Sequence, residues 1–222
     1  MNCLQNMENM KGLNNFEQYR LSEKYTIYKT TYNNRYSKKD FLKRIKQNEF
    51  LYHGKKFEYP NSLELRIECE EFRSIDELAL NFLRTELSQE IDRFVKSSWI
   101  YVQVPDFNME WMHTHEWVES SNRTKLKTQW TYVFYIQIPS DLKDGEGNLI
   151  FKTEDGELHV FTPRENDLLF FPGDLQHMPT LTASAKSDRI SYTTNINYDF
   201  NYFRKTDKRI NFHTHIITTN VL

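Results

Sequence analysis

Residues 130–177 read WTYVFYIQIPSDLKDGEGNLIFKTEDGELHVFTPRENDLLFFPGDLQH, and the alternation within them decides the fold. Segments rich in Tyr, Val, Ile, Leu and Phe run from Trp130 to Ile138, Leu149 to Thr153, Leu158 to Phe161 and Asp167 to Phe171. Between them stand Pro139, Asp144-Gly145-Glu146-Gly147, Asp155-Gly156, Pro163 and Pro172-Gly173. Short β-favouring runs punctuated by such residues are strands joined by compact turns. No helical period interrupts them, which predicts antiparallel pairing in a sandwich or jelly roll.

Working outward, the same period of 2 predicts strands at Trp99 to Val104, Trp111 to His115 and Ile190 to Asn197. Upstream the pattern changes. Tyr25 to Tyr32 and Leu63 to Cys69 have strand character, whereas Ser37-Lys38-Lys39-Asp40 is a helix N-cap leading into Phe41, Leu42 and Ile45. A longer helix opens with the capping box Ser74-Ile75-Asp76-Glu77 and carries Leu78, Phe82 or Leu83, Leu87, Ile91 and Phe94 to about Lys96. Its apolar stripe should pack on a sheet. The expectation is a mostly β chain with supporting helices: a double-stranded β-helix (jelly-roll) core over 99–222, with an N-terminal helix and strand layer over 1–98 packed on it as one structural domain.

The 222 residues carry 29 Lys+Arg against 31 Asp+Glu, a net charge of −2, so the overall field asks for no polyanionic partner. The pairs Arg204-Lys205 and Lys208-Arg209 lack interleaved aromatics and read as solvated charge, which does not support nucleic-acid binding. No apolar run approaches the roughly 18 residues of a membrane span, and the polar start from Met1 to Gly12 is unlike a signal peptide. Cys3 and Cys69 are far apart and form no CxxC. These features predict a cytoplasmic protein without a membrane or a disulfide framework, in a reducing setting.

Candidate chemistry begins at His113-Thr114-His115, followed by His177 after the apolar run Leu168-Leu169-Phe170-Phe171-Pro172-Gly173. Histidines at i and i+2 of a strand project to one side, and a third alongside completes one face of a coordination sphere. A pair of histidines is weak evidence alone: Phe212-His213-Thr214-His215 repeats the tripeptide with no ligand candidate after it. Arg189, Ser191, Thr193 and Asn195 share one face of the last strand. A guanidinium beside a hydroxyl in an apolar interior needs an anion, which could be a ligand or one of the chain's own carboxylates.

These residues resemble the iron(II)- and 2-oxoglutarate-dependent oxygenases, in particular a bacterial and phage branch with H-x-H near the start of the barrel. The shared features are Trp99, the strand Thr131-Tyr132-Val133-Phe134-Tyr135-Ile136, Gly147-Asn148-Leu149-Ile150-Phe151, Phe171-Pro172 with His177, and Arg189-Ile190-Ser191 with Asn195. They span Trp99 to Asn197. The resemblance implies iron ligation by His113, His115 and His177, with Arg189 and Ser191 binding the distal carboxylate of 2-oxoglutarate. Thr131 and Tyr135 would line the same pocket. The implied reaction uses dioxygen and couples decarboxylation of 2-oxoglutarate to C–H oxidation of an unassigned substrate, with hydroxylation as the default.

The family's usual triad is two histidines and a carboxylate, and here His115 stands at the carboxylate position. Three neutral imidazoles leave a ferrous site at +2, which a dianionic cosubstrate neutralises. Two other readings stay open. A cupin would use His113, His115, Glu119 and His177 without a keto acid, and a jelly roll without turnover would serve only in binding. Glu116 points away from His115 on a strand, while Trp111, Trp117 and the loop from Glu119 to Lys127 flank the expected mouth as substrate contacts, a lid or an ordinary surface loop.

Overall fold

A computed structural model of the chain describes residues 2–3, 10–11, 16–32, 37–46, 62–66, 72–85, 87, 95–105, 112–115, 117–119 and 125–197. In chain order the elements are β1 (Asn2–Cys3), β2 (Met10–Lys11), β3 (Glu17–Arg20), β4 (Thr26–Thr31), α1 (Lys38–Lys46), β5 (Ser62–Arg66), α2 (Arg73–Thr85) and β6 (Val95–Gln103). They continue with β7 (Trp117–Glu119), β8 (Lys125–Lys127), β9 (Trp130–Gln137), β10 (Leu149–Lys152), β11 (Leu158–Phe161), β12 (Asp167–Pro172), β13 (Gln176–Pro179) and β14 (Arg189–Asn197).

Eight strands form one antiparallel sheet in the order β2-β3-β4-β12-β9-β14-β6-β5, and four form a second in the order β1-β11-β10-β13. β7 and β8 pair as a separate hairpin. The molecule is mostly β with a jelly-roll arrangement. The larger sheet is the central layer, because its alternating side chains feed two different cores. Along β9, Tyr132, Phe134 and Ile136 join the core that contains Ile75, Phe82 and Leu83 of α2. Val133 and Tyr135 face the other way, into a core shared with Leu149, Phe151 and Phe161 of the smaller sheet.

The helices form where the sequence caps them. Ser37 Oγ accepts the Asp40 backbone N–H at 3.3 Å and opens α1. On α2, Ile75, Asp76, Ala79, Leu80, Phe82 and Leu83 are buried against the sheet. Each fully buried large apolar side chain contributes about 1.5–3 kcal/mol. Phe72, just before α2, stacks on Tyr192 with centroids 4.1 Å apart. Asp76 accepts hydrogen bonds from Tyr132 and, at 3.1 Å, from Tyr192, and it ion-pairs with Lys96.

The boundary after this helix differs from the sequence expectation. α2 ends at Thr85, and Val95 and Lys96 belong to β6 rather than to a helix. The apolar spacing continues through Ile91 and Phe94, yet β6 pairs with β14 over nine residues, from Val95↔Asn197 to Gln103↔Arg189. That ladder overrides local helical periodicity. Likewise Trp111 to His115 is no continuous strand: its described part makes a single bridge, His113↔His177. Cys69, Ile91, Phe94, Trp111, Glu116 and the basic and histidine pairs after Asn197 lie outside the described residues.

Candidate active site

The histidine cluster is assembled by backbone pairing around one tight turn. After β12 the chain reverses through Pro172 to Leu175, closed by the Leu175 N–H donating to the Pro172 carbonyl at 3.1 Å. Gly173 sits here because a Cβ would come within 2.6 Å of the Thr128 carbonyl oxygen. Its own carbonyl accepts the His115 N–H at 2.9 Å. The next strand carries His177, and His113 exchanges both backbone hydrogen bonds with it, at 3.0 and 2.9 Å. His113 thereby extends the edge of the smaller sheet.

The outcome is that one ligand atom from each of His113, His115 and His177 lies within 4.8 Å of the others. Nε2 of His177 is 3.0 Å from Nε2 of His115. Two nitrogens each ~2.1 Å from one cation and at a right angle to each other would be ~3.0 Å apart, so this pair fits a shared metal. The Leu175 carbonyl accepts a hydrogen bond from His177 Nδ1–H at 2.9 Å, which turns the Nε2 lone pair inward toward His115. Burial lowers all three imidazole pKa values: His113 downward, His115 to about 3 with help from neighbouring His113, and His177 well below its ordinary range. The cluster is therefore neutral at pH 7, the state in which imidazole binds a metal. Nδ1 of His113 is buried with no hydrogen-bond partner. The donor set suits a borderline divalent cation such as iron(II).

Across the cavity stands Arg189, buried at 2% exposure on β14 of the larger sheet. Its Nη1 donates to Gln103 Oε1 at 3.3 Å, Nε has no hydrogen-bond partner, and among the described residues no carboxylate forms an ion pair with it. The guanidinium carbon lies 5.1 Å from the Tyr135 ring centroid. Burial pushes the Tyr135 phenol up to about 12, although the Arg189 charge works in the opposite direction. A register shift between Ile190 and Ser191 in the β14 and β9 ladder marks a β-bulge beside these side chains. Arg189, Ser191 and Thr193 line one wall of a cavity of ≈ 70 Å³, the three histidines line another, and Val133 and Tyr135 contribute from β9. That volume holds on the order of five water-sized groups, enough for a small acid.

No family model matches the chain, nor does the sequence of any curated protein. Solved structures do resemble it. The carbocyclase SnoK of nogalamycin biosynthesis, a non-haem α-ketoglutarate-dependent enzyme, superposes with TM-score 0.53 at 13% identity, over 78% of this chain and 79% of that one. A Pseudomonas putida prolyl-4-hydroxylase gives 0.51 at 16% identity, over 72% and 83%. A Trichoplax adhaerens prolyl hydroxylase in complex with a hypoxia inducible factor peptide fragment gives 0.50 at 12%, over 83% and 87%. The fold is that of the 2-oxoglutarate and iron(II) oxygenases.

Within this oxygenase fold the expected site residues separate into two groups. His113, His115, His177, Tyr135, Arg189 and Ser191 converge on the cavity. Thr131 is not among its lining residues: its hydroxyl donates to Asn195 Oδ1 at 2.9 Å, so it is engaged with the neighbouring strand. Glu119 ends β7, and its side chain lies outside the described residues. Sequence reasoning missed Tyr101 and Gln103. With Trp99 they fall on one face of β6 by period 2, so alternation from the Trp would have found them. It also missed Leu149 and Pro179 at the cavity; Pro179 lies on β13, a short strand that the sequence analysis does not include.

Proposed function

We propose that this protein is an iron(II)- and 2-oxoglutarate-dependent dioxygenase, acting by default as a hydroxylase. The observation that carries the reading is the convergence, in one cavity, of three imidazoles and a buried guanidinium with no carboxylate partner among the described residues. Removing a guanidinium from water without a counter-ion costs several kcal/mol, so the site is built to receive an anion.

In this reading His113, His115 and His177 hold iron(II), and Arg189 with Ser191 takes the distal carboxylate of 2-oxoglutarate. Tyr135 backs the guanidinium from β9. When bound, iron(II) with the keto acid and dioxygen supplies the oxidising power that couples decarboxylation to succinate with oxidation of a substrate C–H bond. The chain's own contribution is orientation and charge. The Leu175 carbonyl fixes the His177 tautomer, and Gly173 and His177 fix the His-x-His segment through its backbone. Three neutral ligands leave the metal at +2 and Arg189 adds its own positive charge, so the two carboxylates of the keto acid each meet a cationic partner inside a cavity walled by Val133, Leu149 and Trp99.

Anaerobic addition of iron(II) and then 2-oxoglutarate should produce a visible charge-transfer band that needs both. Succinate should then be released on aeration with a suitable substrate from a panel of proteins, nucleic acids and small metabolites. A protein that binds metal but ignores the keto acid is a cupin-like metalloprotein. One that binds neither is a binding domain, and either result overturns the proposal.

A further inference from the structure

We infer that Gln103 is a positioning residue: a neutral side chain that aims the Arg189 guanidinium into the cavity without discharging it. The inference rests on the keto-acid reading of the site.

Gln103 is fully buried on β6, directly opposite Arg189 of β14 in the ladder. Its amide bridges two fixed groups. Oε1 accepts from Arg189 Nη1 at 3.3 Å, and Nε2 donates to the Thr180 carbonyl at 2.8 Å. Chemistry dictates this orientation of the amide, since a carbonyl can only accept and a guanidinium can only donate. Thr180 follows the cavity-lining Pro179 at the end of β13 and is itself held in place. Its N–H donates to the Asn148 carbonyl at 2.8 Å, and its hydroxyl to the Gly145 carbonyl at 2.9 Å. Arg189 is thus tied through Gln103 to the strand and loop on the far side of the cavity.

What matters is that the tie is uncharged. A carboxylate at position 103 would still accept from the guanidinium, yet it would give up the hydrogen bond to the Thr180 carbonyl and neutralise the charge that an incoming carboxylate requires. An aliphatic side chain would leave the charge and lose the aim. A merely structural role for Gln103 would leave the preference for a keto acid with a distal carboxylate unchanged, whereas a positioning role lowers it.

The test compares wild type, Gln103→Glu and Gln103→Met as manganese(II)-loaded full-length protein without oxygen, with binding of 2-oxoglutarate and of 2-oxobutyrate measured by calorimetry. 2-Oxobutyrate keeps the keto-acid end and lacks the distal carboxylate. Gln103→Glu should bind 2-oxoglutarate about tenfold or more weakly, Gln103→Met by a smaller factor, and both should bind 2-oxobutyrate and manganese as wild type does. Gln103→Glu binding 2-oxoglutarate as well as wild type, or better than Gln103→Met, overturns the inference alone. Wild type that fails to bind 2-oxoglutarate overturns the keto-acid reading and this inference with it. If melting shows that Gln103→Glu does not fold, Gln103→Met decides: an unchanged preference for 2-oxoglutarate over 2-oxobutyrate overturns the inference, and a preference reduced about threefold or more supports it.

Discussion

Gly173 joins two constraints in one residue: its missing side chain lets Thr128 approach, and its carbonyl holds the backbone of His115. Gly173→Ala must displace the Thr128 backbone between β8 and β9 or the turn, at about 1–3 kcal/mol, and shift His115 with it. Metal affinity should fall about tenfold or more, as read by competition with a chromogenic chelator. Arg189→Met acts on the opposite wall. It should weaken 2-oxoglutarate binding about tenfold to a hundredfold while leaving metal content near wild type, and equal loss of both would contradict the separate roles given to the two walls. The sequence made His113, His115, His177 and Arg189 visible because each belongs to a short motif. It hid Gln103, which belongs to none and matters only through the partner across the ladder.

At the scale of elements, α2 is docked by a buried polar knot as well as by its apolar stripe. Asp76 meets two tyrosine hydroxyls and Lys96, drawn from β9, β14 and β6. Asp76→Ala leaves a buried ammonium and two phenols without their acceptor, and should cost about 3–5 kcal/mol. For a chain of this size that is a fall in melting temperature of roughly 6–20 °C by calorimetry, and Lys96→Met introduced alongside should recover part of it. The capping box at Ser74 marked where this helix begins to within a residue. Its end was illegible, because Leu87, Ile91 and Phe94 keep a helical spacing that only the long pairing of β6 with β14 contradicts. Local pattern reports local preference, and here a non-local ladder wins.

Over the whole molecule, the jelly roll was legible from Trp130 to Asn197, where strand alternation and turn residues agree. Before Trp99 the sequence showed individual strands but not that β4 inserts beside β12, or that β5 edges the same sheet. Such pairings join segments far apart in sequence and leave no local mark. Packing at this scale also sets an alkaline limit. Burial raises the phenol pKa values of Tyr132, Tyr192 and Tyr135, with the Asp76 charge adding to the first two. In the unfolded chain these phenols ionise near pH 10. Above that pH the unfolded state sheds protons that the folded state retains, so stability falls as pH rises. Tyrosinate absorbance from these residues should therefore appear in one step with the loss of circular dichroism, rather than ahead of it.

His177 and its bridged partner His113 hang from the edge of the smaller sheet, whereas Arg189 hangs from the larger. A keto acid gripped by both ends would act as a strut between the layers, setting their spacing. Metal and keto acid should then tighten each other's binding by the same factor, and amide exchange should slow together on β13 and β14 only when both are present.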